Sequence, residues 1–244
     1  MANFAEPKGI LELKPYLDNP ERQALIVTHR RNLRSLRENL HHLQFGFIST
    51  SARPKFKQSV PKHKLNMKPI TLKEMSPTKD HIYKDRAIEL IIIEDPNLFL
   101  PSIHLVVEDK NGDPARLCIY NVERTAKKIV GKLEFGCKIG ILNPYLRISL
   151  DGSHGLRVDD PKCIVYQGRK KDMCRFCGEE NAGTLCCLCE KAKYCSEECD
   201  EYDHKVMGHG LICDEDGEWF RNFKGYCKRI LIIILVLVII YYFA

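Results

Sequence analysis

Several signatures are missing from this 244-residue chain, and each absence removes a class of function. The start, MANFAEPKGILELKP, has no basic stretch followed by an apolar run, so it does not read as a secretory signal. Without secretion the thiols stay reduced, and disulfides are not the expected use of the twelve cysteines. No Gly-rich phosphate loop and no nucleophile elbow occurs, which removes the motif-borne forms of nucleotide and acyl chemistry. There is no internal repeat, so a solenoid is excluded. No acid lies between Ala52 and Lys73, where seven Lys or Arg and three prolines (Pro54, Pro61, Pro69) read as a solvated linker. His41–His42 beside an Arg-rich face reads as solvated, and Asp159–Asp160 before Pro161 as a turn cap.

What is present is cysteine, concentrated late. Eight of the twelve lie between Cys174 and Cys213. Cys174 and Cys177 form a C-x2-C, and Cys186 and Cys189 a second. Cys195 and Cys199 form a C-x3-C, and His209 and Cys213 an H-x3-C. Zinc takes four S or N ligands in a tetrahedron, and residues two or three apart reach one metal from a tight turn or a helical turn. Four such pairs, seven thiolates and one imidazole, make two closed sites with no position left for a substrate. The expected cofactor is therefore Zn2+, two ions, in a structural role, and no enzyme activity is expected. Each site contributes on the order of 10 kcal/mol to folding, which a forty-residue module needs because it buries little apolar surface. Cys187, the spare thiol of CCLC, reads as a buried small apolar residue.

The order of these pairs, with Tyr194–Cys195–Ser196 at the centre, resembles an MYND-type zinc finger. The resemblance implies interleaved pairing: Cys174, Cys177, Cys195 and Cys199 on one zinc, and Cys186, Cys189, His209 and Cys213 on the other. His204 stands as the alternative to His209, because the gap after Cys199 is two residues longer than the family pattern and the usual Trp after Asp203 is replaced by His204. The resemblance also implies a groove beside the second site that grips proline-containing peptides.

The C-terminus carries a second strong signal. Ile230–Ala244 has no charge, and twelve of its fifteen residues are Ile, Leu, Val or Phe. At ~1.5 Å per residue it extends about 22 Å against a hydrocarbon core of about 30 Å, short but strongly apolar. Lys224, Lys228 and Arg229 precede it and no basic residue follows. The expectation is a tail anchor with the body facing the cytosol, in the endoplasmic reticulum rather than the mitochondrial outer membrane. Cys227 beside it is a candidate for S-palmitoylation.

The remaining chain reads as α+β. Pro20–Leu43 is expected to be a helix, capped by Asp18 or Asn19. Ile26, Leu33, Leu36, Leu40 and Leu43 form its apolar stripe, and Arg30, Arg31, Arg34 and Arg37 lie on the opposite face. Strands are expected at Ala87–Ile93, Ile103–Glu108, Arg116–Val122, Cys137–Leu142, Tyr145–Leu150 and Ile164–Gln167, with a hairpin turn at Lys110–Asp113 and a short helix at Glu123–Leu133. Strands, a helix, then strands suggest a closed OB-like β-barrel. The region from Leu33 to Val165, including VVEDKNGDPARLCIYNV and GCKIGILNPYLRISLDGSHGLRVDDP, resembles the N-terminal region of TPR/SET-domain multidomain proteins. The SET domain is absent, which implies a non-catalytic scaffold.

The expected organisation is an N-terminal helical segment (1–50), a basic linker (51–85), the OB-like domain (86–168), the finger (174–213), a juxtamembrane linker (214–229) and the anchor (230–244). The functional expectation is a membrane-anchored zinc-binding adaptor that recruits a partner protein through its finger. The alternatives are a nucleic-acid-binding barrel or a scaffold related to SET/MYND methyltransferases. Tyr120, Phe135, Tyr145 and Tyr166 are scattered among aliphatic residues and read as packing rather than as base-stacking platforms. Nucleic acid is therefore not the expected partner.

Overall fold

The computed structural model describes residues 19–38, 58–61, 67–76, 78–99, 102–122, 129–148 and 152–213. Helix α1 spans Pro20–Glu38. It begins where expected: the Asn19 side chain accepts from the Arg22 N–H at 2.9 Å, and Pro20 occupies the first turn, where its missing N–H costs nothing. Residues 39–43 of the expected helix lie outside the described residues.

Nine strands form one strongly curled half-barrel sheet: β1 Lys68–Pro69, β2 His81–Ile82, β3 Arg86–Phe99, β4 Ser102–Asp109, β5 Pro114–Ile119, β6 Cys137–Leu142, β7 Tyr145–Ile148, β8 His154–Val158 and β9 Ile164–Arg169. Their spatial order is β2-β7-β8-β5-β4-β3-β6-β9, with β1 pairing in parallel with the start of β3. Among the described residues, β1–β3 and β5–β8 are the parallel pairs. The β4–β5 hairpin turns as the sequence suggests, with Gly112 at φ +78° and Asp109 Oδ1 accepting from the N–H groups of Asn111 and Asp113.

Three expectations change here. The sheet does not close among the described residues, because the terminal strands β2 and β9 pair with one neighbour each. Part of the expected linker belongs to the fold: β1 and β2 lie within it, and Gln58 is buried, donating to the Leu142 and Asn143 carbonyls. β8 follows the Asp151–Gly152 turn signal in a segment too polar to read as a strand, yet Leu156 and Val158 are fully buried. Of the expected helix Glu123–Leu133, residues 123–128 lie outside the described residues, while Ile129 and Leu133 enter the core.

The long strand β3 explains how the fold carries a second body. Ile88, Leu90 and Ile92 point into the barrel core with Leu105, Leu117 and Ile139. Ile93, and Val106 of β4, face the other way, against Ile26 of α1 and Phe176 of the finger. A strand buried on both faces needs a continuous apolar run, which is what Leu90–Ile93 supplies. Irregularities in the β3–β4 register on either side of Glu94 then re-aim the strand. Pro96 falls within the second of them, where a ladder hydrogen bond is not required.

The finger contains a two-stranded hairpin, β10 Thr184–Leu185 with β11 Lys193–Tyr194, then α2 Glu197–Lys205 and the single turn α3 Gly210–Cys213. Residues 214–244, which include the expected anchor and Cys227, lie outside the described residues. Among those described, no helix is long and apolar enough to cross a membrane.

Candidate metal centres and the barrel–finger cleft

The two C-x2-C turns fold alike. In the first, the Gly178 N–H donates to the Cys174 carbonyl at 3.0 Å; in the second, the Glu190 N–H donates to the Cys186 carbonyl at the same distance. Both closing residues have positive φ, +75° at Gly178 and +55° at Glu190. This tight turn brings two sulfurs of one pair to one point. The Tyr-Cys-Ser step works differently: Ser196 caps α2 by accepting from the Cys199 N–H, so Cys195 and Cys199 lie across the first helical turn. His209 and Cys213 flank α3, whose Cys213 N–H donates to the His209 carbonyl.

These local turns assemble two four-residue groups. Cys174, Cys177, Cys195 and Cys199 form one, and Cys186, Cys189, His209 and Cys213 the other; within each, the ligand atoms all lie within 4.8 Å of one another. The Cys177–Cys195 and Cys195–Cys199 sulfurs are 3.5 Å apart, Cys186–Cys213 3.4 Å, and Cys189 Sγ to His209 Nε2 3.6 Å. A tetrahedral zinc with Zn–S of ~2.3 Å has ligand–ligand edges of about 3.8 Å, so each group could hold a metal ion with little movement. His204 does not enter either group of four. Its Nε2 lies 3.5 Å from Cys186 Sγ and equally far from Asp200 Oδ1, and it shares only Cys186 with the second group. Cys187 is exposed rather than buried, because the turn that aims Cys186 and Cys189 inward aims the residue between them outward.

The protonation pattern suits a cation. Hydrogen bonding from Cys174 and Cys199 holds the Cys177 thiol far below its ordinary range, while burial pushes Cys195 up to about 12 and also raises Cys213. Four crowded thiols cannot all ionise unless a positive charge joins them. Burial lowers His209 to about 4, which keeps the ring neutral, the form that ligates.

Outside the ligands, a largely buried ion network fastens the finger to the barrel. Arg30 of α1 donates through Nε and NH2 to Glu94 Oε1, at 3.1 and 2.6 Å, and through NH1 to Asp203 Oδ1 at 2.8 Å. Its NH1 also reaches the Met207 carbonyl at 3.0 Å. Arg175, from within the first C-x2-C, donates to Glu94 Oε2 at 2.9 Å and to Asp95 Oδ2 at 3.2 Å. The Tyr194 hydroxyl donates to Asp203 Oδ2 at 2.8 Å. Two guanidinium groups thus neutralise the two buried carboxylates, Glu94 and Asp203, where burial would otherwise forbid their charge, with the partly exposed Asp95 at the edge. The sequence reading set Arg30 with Arg31 and Arg34 on a face opposite the apolar stripe. Arg31 and Arg34 are exposed, but Arg30 is completely buried, because it lies one helical turn from Ile26, on the face that packs against β3 and the finger. The signal that could have found this network is an acidic pair, Glu94–Asp95, directly after an apolar run, together with an arginine inside a C-x2-C.

Burial alone would raise the carboxyls of Glu94 and Asp203, but Arg175 and Arg30 overcome it and hold both below their usual range. Depressed folded-state values contribute stability that is present above the unfolded values, about 4.3 for Glu and 3.9 for Asp, and lost as pH falls through the folded ones. The urea midpoint is expected to fall on acidification below about pH 4 for this reason. Glu94→Gln, which removes one of the two titrating groups, is expected to flatten that acid limb; an unchanged limb would assign it to other groups.

Where the last barrel strand leads into the finger, a cleft of about 500 Å³ opens. Six cations line it (Arg169, Lys170, Lys171, Arg175, Lys191 and Lys193) with one carboxylate, Asp172. Ion pairs join Arg169 to Glu134, Lys170 to Glu180, Lys193 to Asp172, and Arg175 to Glu94 and Asp95. Phe135 forms part of its wall, with the Arg175 guanidinium 5.1 Å from the ring centroid. On β9, Tyr166 is 39% exposed with the Lys132 ammonium 5.1 Å from its ring. Of the four aromatics expected to be packing, Tyr166 is exposed and Tyr120 and Phe135 are half-buried, whereas Tyr145 is core.

No family model and no curated protein matches the chain. Solved structures similar to it include an Ifi202 HINa domain in complex with 20-bp double-stranded DNA, at 16% identity and TM-score 0.29, covering 48% of this chain and 56% of that one. A murine DNA-binding protein bound with double-stranded DNA matches at 12% identity and TM-score 0.24, covering 33% and 38%. A hypothetical protein from Arabidopsis thaliana matches at 13% identity and TM-score 0.31, covering 57% and 92%. The chain thus spans 38% and 56% of these two DNA-bound structures. Two of these three structures hold DNA, so the expectation that nucleic acid is not a partner is corrected and withdrawn.

Proposed function

We propose that the chain is a non-catalytic, zinc-stabilised binding module whose half-barrel and MYND-type finger together bind nucleic acid along the cleft between them. The observation that carries this reading is the cleft's lining, six cations and one carboxylate beside an accessible aromatic edge. Phosphate contact needs a basic track, and bases stack on aromatic faces. The four-ligand groups support a structural rather than catalytic metal, since neither group leaves a coordination position for substrate.

Anisotropy titration of labelled single-stranded and duplex oligonucleotides tests it. Binding is expected to weaken steeply with salt, and the double substitution Lys171→Glu/Lys191→Glu is expected to reduce both the affinity and the salt slope by about two phosphate contacts, roughly 0.7 to 0.9 per contact in log–log slope. Absent binding at low salt, or binding indifferent to the charge reversal, would overturn the reading.

Recruitment of a partner protein is the second reading. It is favoured by Leu185 and Leu188, which stand 49% and 61% exposed on either side of the Cys186–Cys187 pair. In that reading the apolar run 230–244 fixes the module to a membrane with its body in the cytosol. Resistance of the full chain to carbonate extraction, and loss of that resistance on truncation at residue 229, would support it.

A further inference from the structure

We propose that Asp203 is the positioning residue of the second metal centre and makes that centre's affinity depend on residues outside the finger. The inference rests on the reading that Cys186, Cys189, His209 and Cys213 hold a zinc ion. The ring of His209 is 2% exposed. Its Nε2 faces Cys189 Sγ at 3.6 Å, on the ligand side. Its other nitrogen, Nδ1, is buried and makes no hydrogen bond, yet it lies 3.6 Å from Asp203 Oδ2.

An imidazole that gives one nitrogen to zinc carries its proton on the other, and a buried N–H needs an acceptor. Asp203 Oδ2 is the carboxylate oxygen closest to supplying it, and a small rotation of the ring closes the gap. The His209 N–H of the main chain already donates to the Asp203 carbonyl at 2.9 Å, so the same residue fixes the ligand's backbone as well. Asp203 is itself held by Arg30 of α1 and by Tyr194, and through Arg30 it is joined to Glu94 of β3. The chain of contacts runs from metal ligand to finger helix, to the N-terminal helix, to the barrel. Nothing in the eight-ligand pattern requires such a connection; it follows from the one acidic residue of α2 whose side chain points inward.

The test measures zinc affinity at each centre in the full chain by chelator competition, with the four-cysteine centre as internal control. Asp203→Asn is expected to weaken zinc at the second centre by 10–100-fold and to leave the first within a few-fold. The same substitution in a His209→Cys background is expected to have little effect, because no ring remains to orient. Equal weakening at both centres, or an equal effect in both backgrounds, would mean that Asp203 acts only through fold stability and would overturn the proposal. Glu94→Gln, which reaches His209 only through Arg30 and Asp203, is expected to weaken the second centre measurably but less than Asp203→Asn; no effect at the second centre would overturn its dependence on residues outside the finger.

A measurement on the unmutated chain keeps the inference testable if Asp203→Asn does not fold. The histidine long-range nitrogen NMR spectrum of the zinc-loaded protein is expected to show His209 metal-bound at Nε2, with a slowly exchanging proton on Nδ1. Metal at Nδ1, or a rapidly exchanging Nδ1 proton, would overturn it. A wild-type chain that binds only one zinc would instead remove the second-centre reading on which the proposal rests.

Discussion

Arg30→Met is expected to destabilise the folded unit by about 3–5 kcal/mol, more than any other single substitution in the barrel or α1. The guanidinium is fully buried and donates to two carboxylates that have no water to turn to. Methionine fills much of its volume, so the loss is electrostatic rather than a cavity effect. With Arg30 gone, Asp203 keeps the Tyr194 hydroxyl, the neighbouring His209 ring and the more distant charge of Arg175, and the cation hydrogen-bonded to Glu94 is Arg175. Urea denaturation gives the magnitude. Limited proteolysis gives the location: cleavage should appear first at the junction near Lys170–Asp172, where barrel passes into finger. A loss under about 1 kcal/mol would mean that the network contributes specificity of docking and little stability, the behaviour some buried ion pairs show when replaced by apolar groups.

Chelation is expected to unfold residues 174–213 and to leave the strands β3–β9 protected in hydrogen exchange. The reason is a division of cores. The barrel interior, built on Ile88, Leu90, Leu105, Leu117 and Ile139, includes no finger residue. The finger's own cluster is made largely of its ligand cysteines with Phe176, Tyr194 and Met207, too little apolar surface to replace on the order of 10 kcal/mol per zinc. Stripping the metal should also bare Ile93 and Val106 on the outer face of β3 and β4, so binding of a hydrophobic dye should rise together with loss of finger signals. Among single substitutions, Cys186→Ser is expected to reproduce the effect at the second centre, whereas Cys187→Ser, at an exposed thiol, should be near neutral. Equal damage from the two would show that the turn between Cys186 and Cys189 is aimed otherwise. A finger that stays folded without metal would remove the structural role of zinc altogether.

Features carried by local spacing were legible in the chain. A C-x2-C needs only a tight turn, so the pairs could be read directly, and the interleaving implied by the MYND resemblance corresponds to the two groups that the structure brings together. The start of α1 at Pro20, the limits of β6 and the hairpin at Asn111–Gly112 were legible for the same reason: capping, alternation and positive φ act within a few residues. β1, β2 and β8 were not, because their ladders are completed by partners far along the chain, such as the pairing of β8 with β5. The fate of Arg30 was not legible either. A helix face rich in arginine is ordinarily solvated, and nothing within α1 says that two acids 64 and 173 residues away will meet it.

The sequence by itself thus determined the pairing of cysteines into short turns and the α+β character of the chain, since each is set by residues close together. The tertiary structure decided that the sheet curls without closing, that the finger docks on the outer face of β3, and that the cations of β9 and the finger converge on one cleft. It also decided which histidine faces the second centre: His209, on the turn before α3, is aimed at Cys189, while His204, one residue beyond Asp203 on α2, falls beside it. Those outcomes depend on long-range burial, where a charge or a thiol takes its meaning from the partners that packing brings to it.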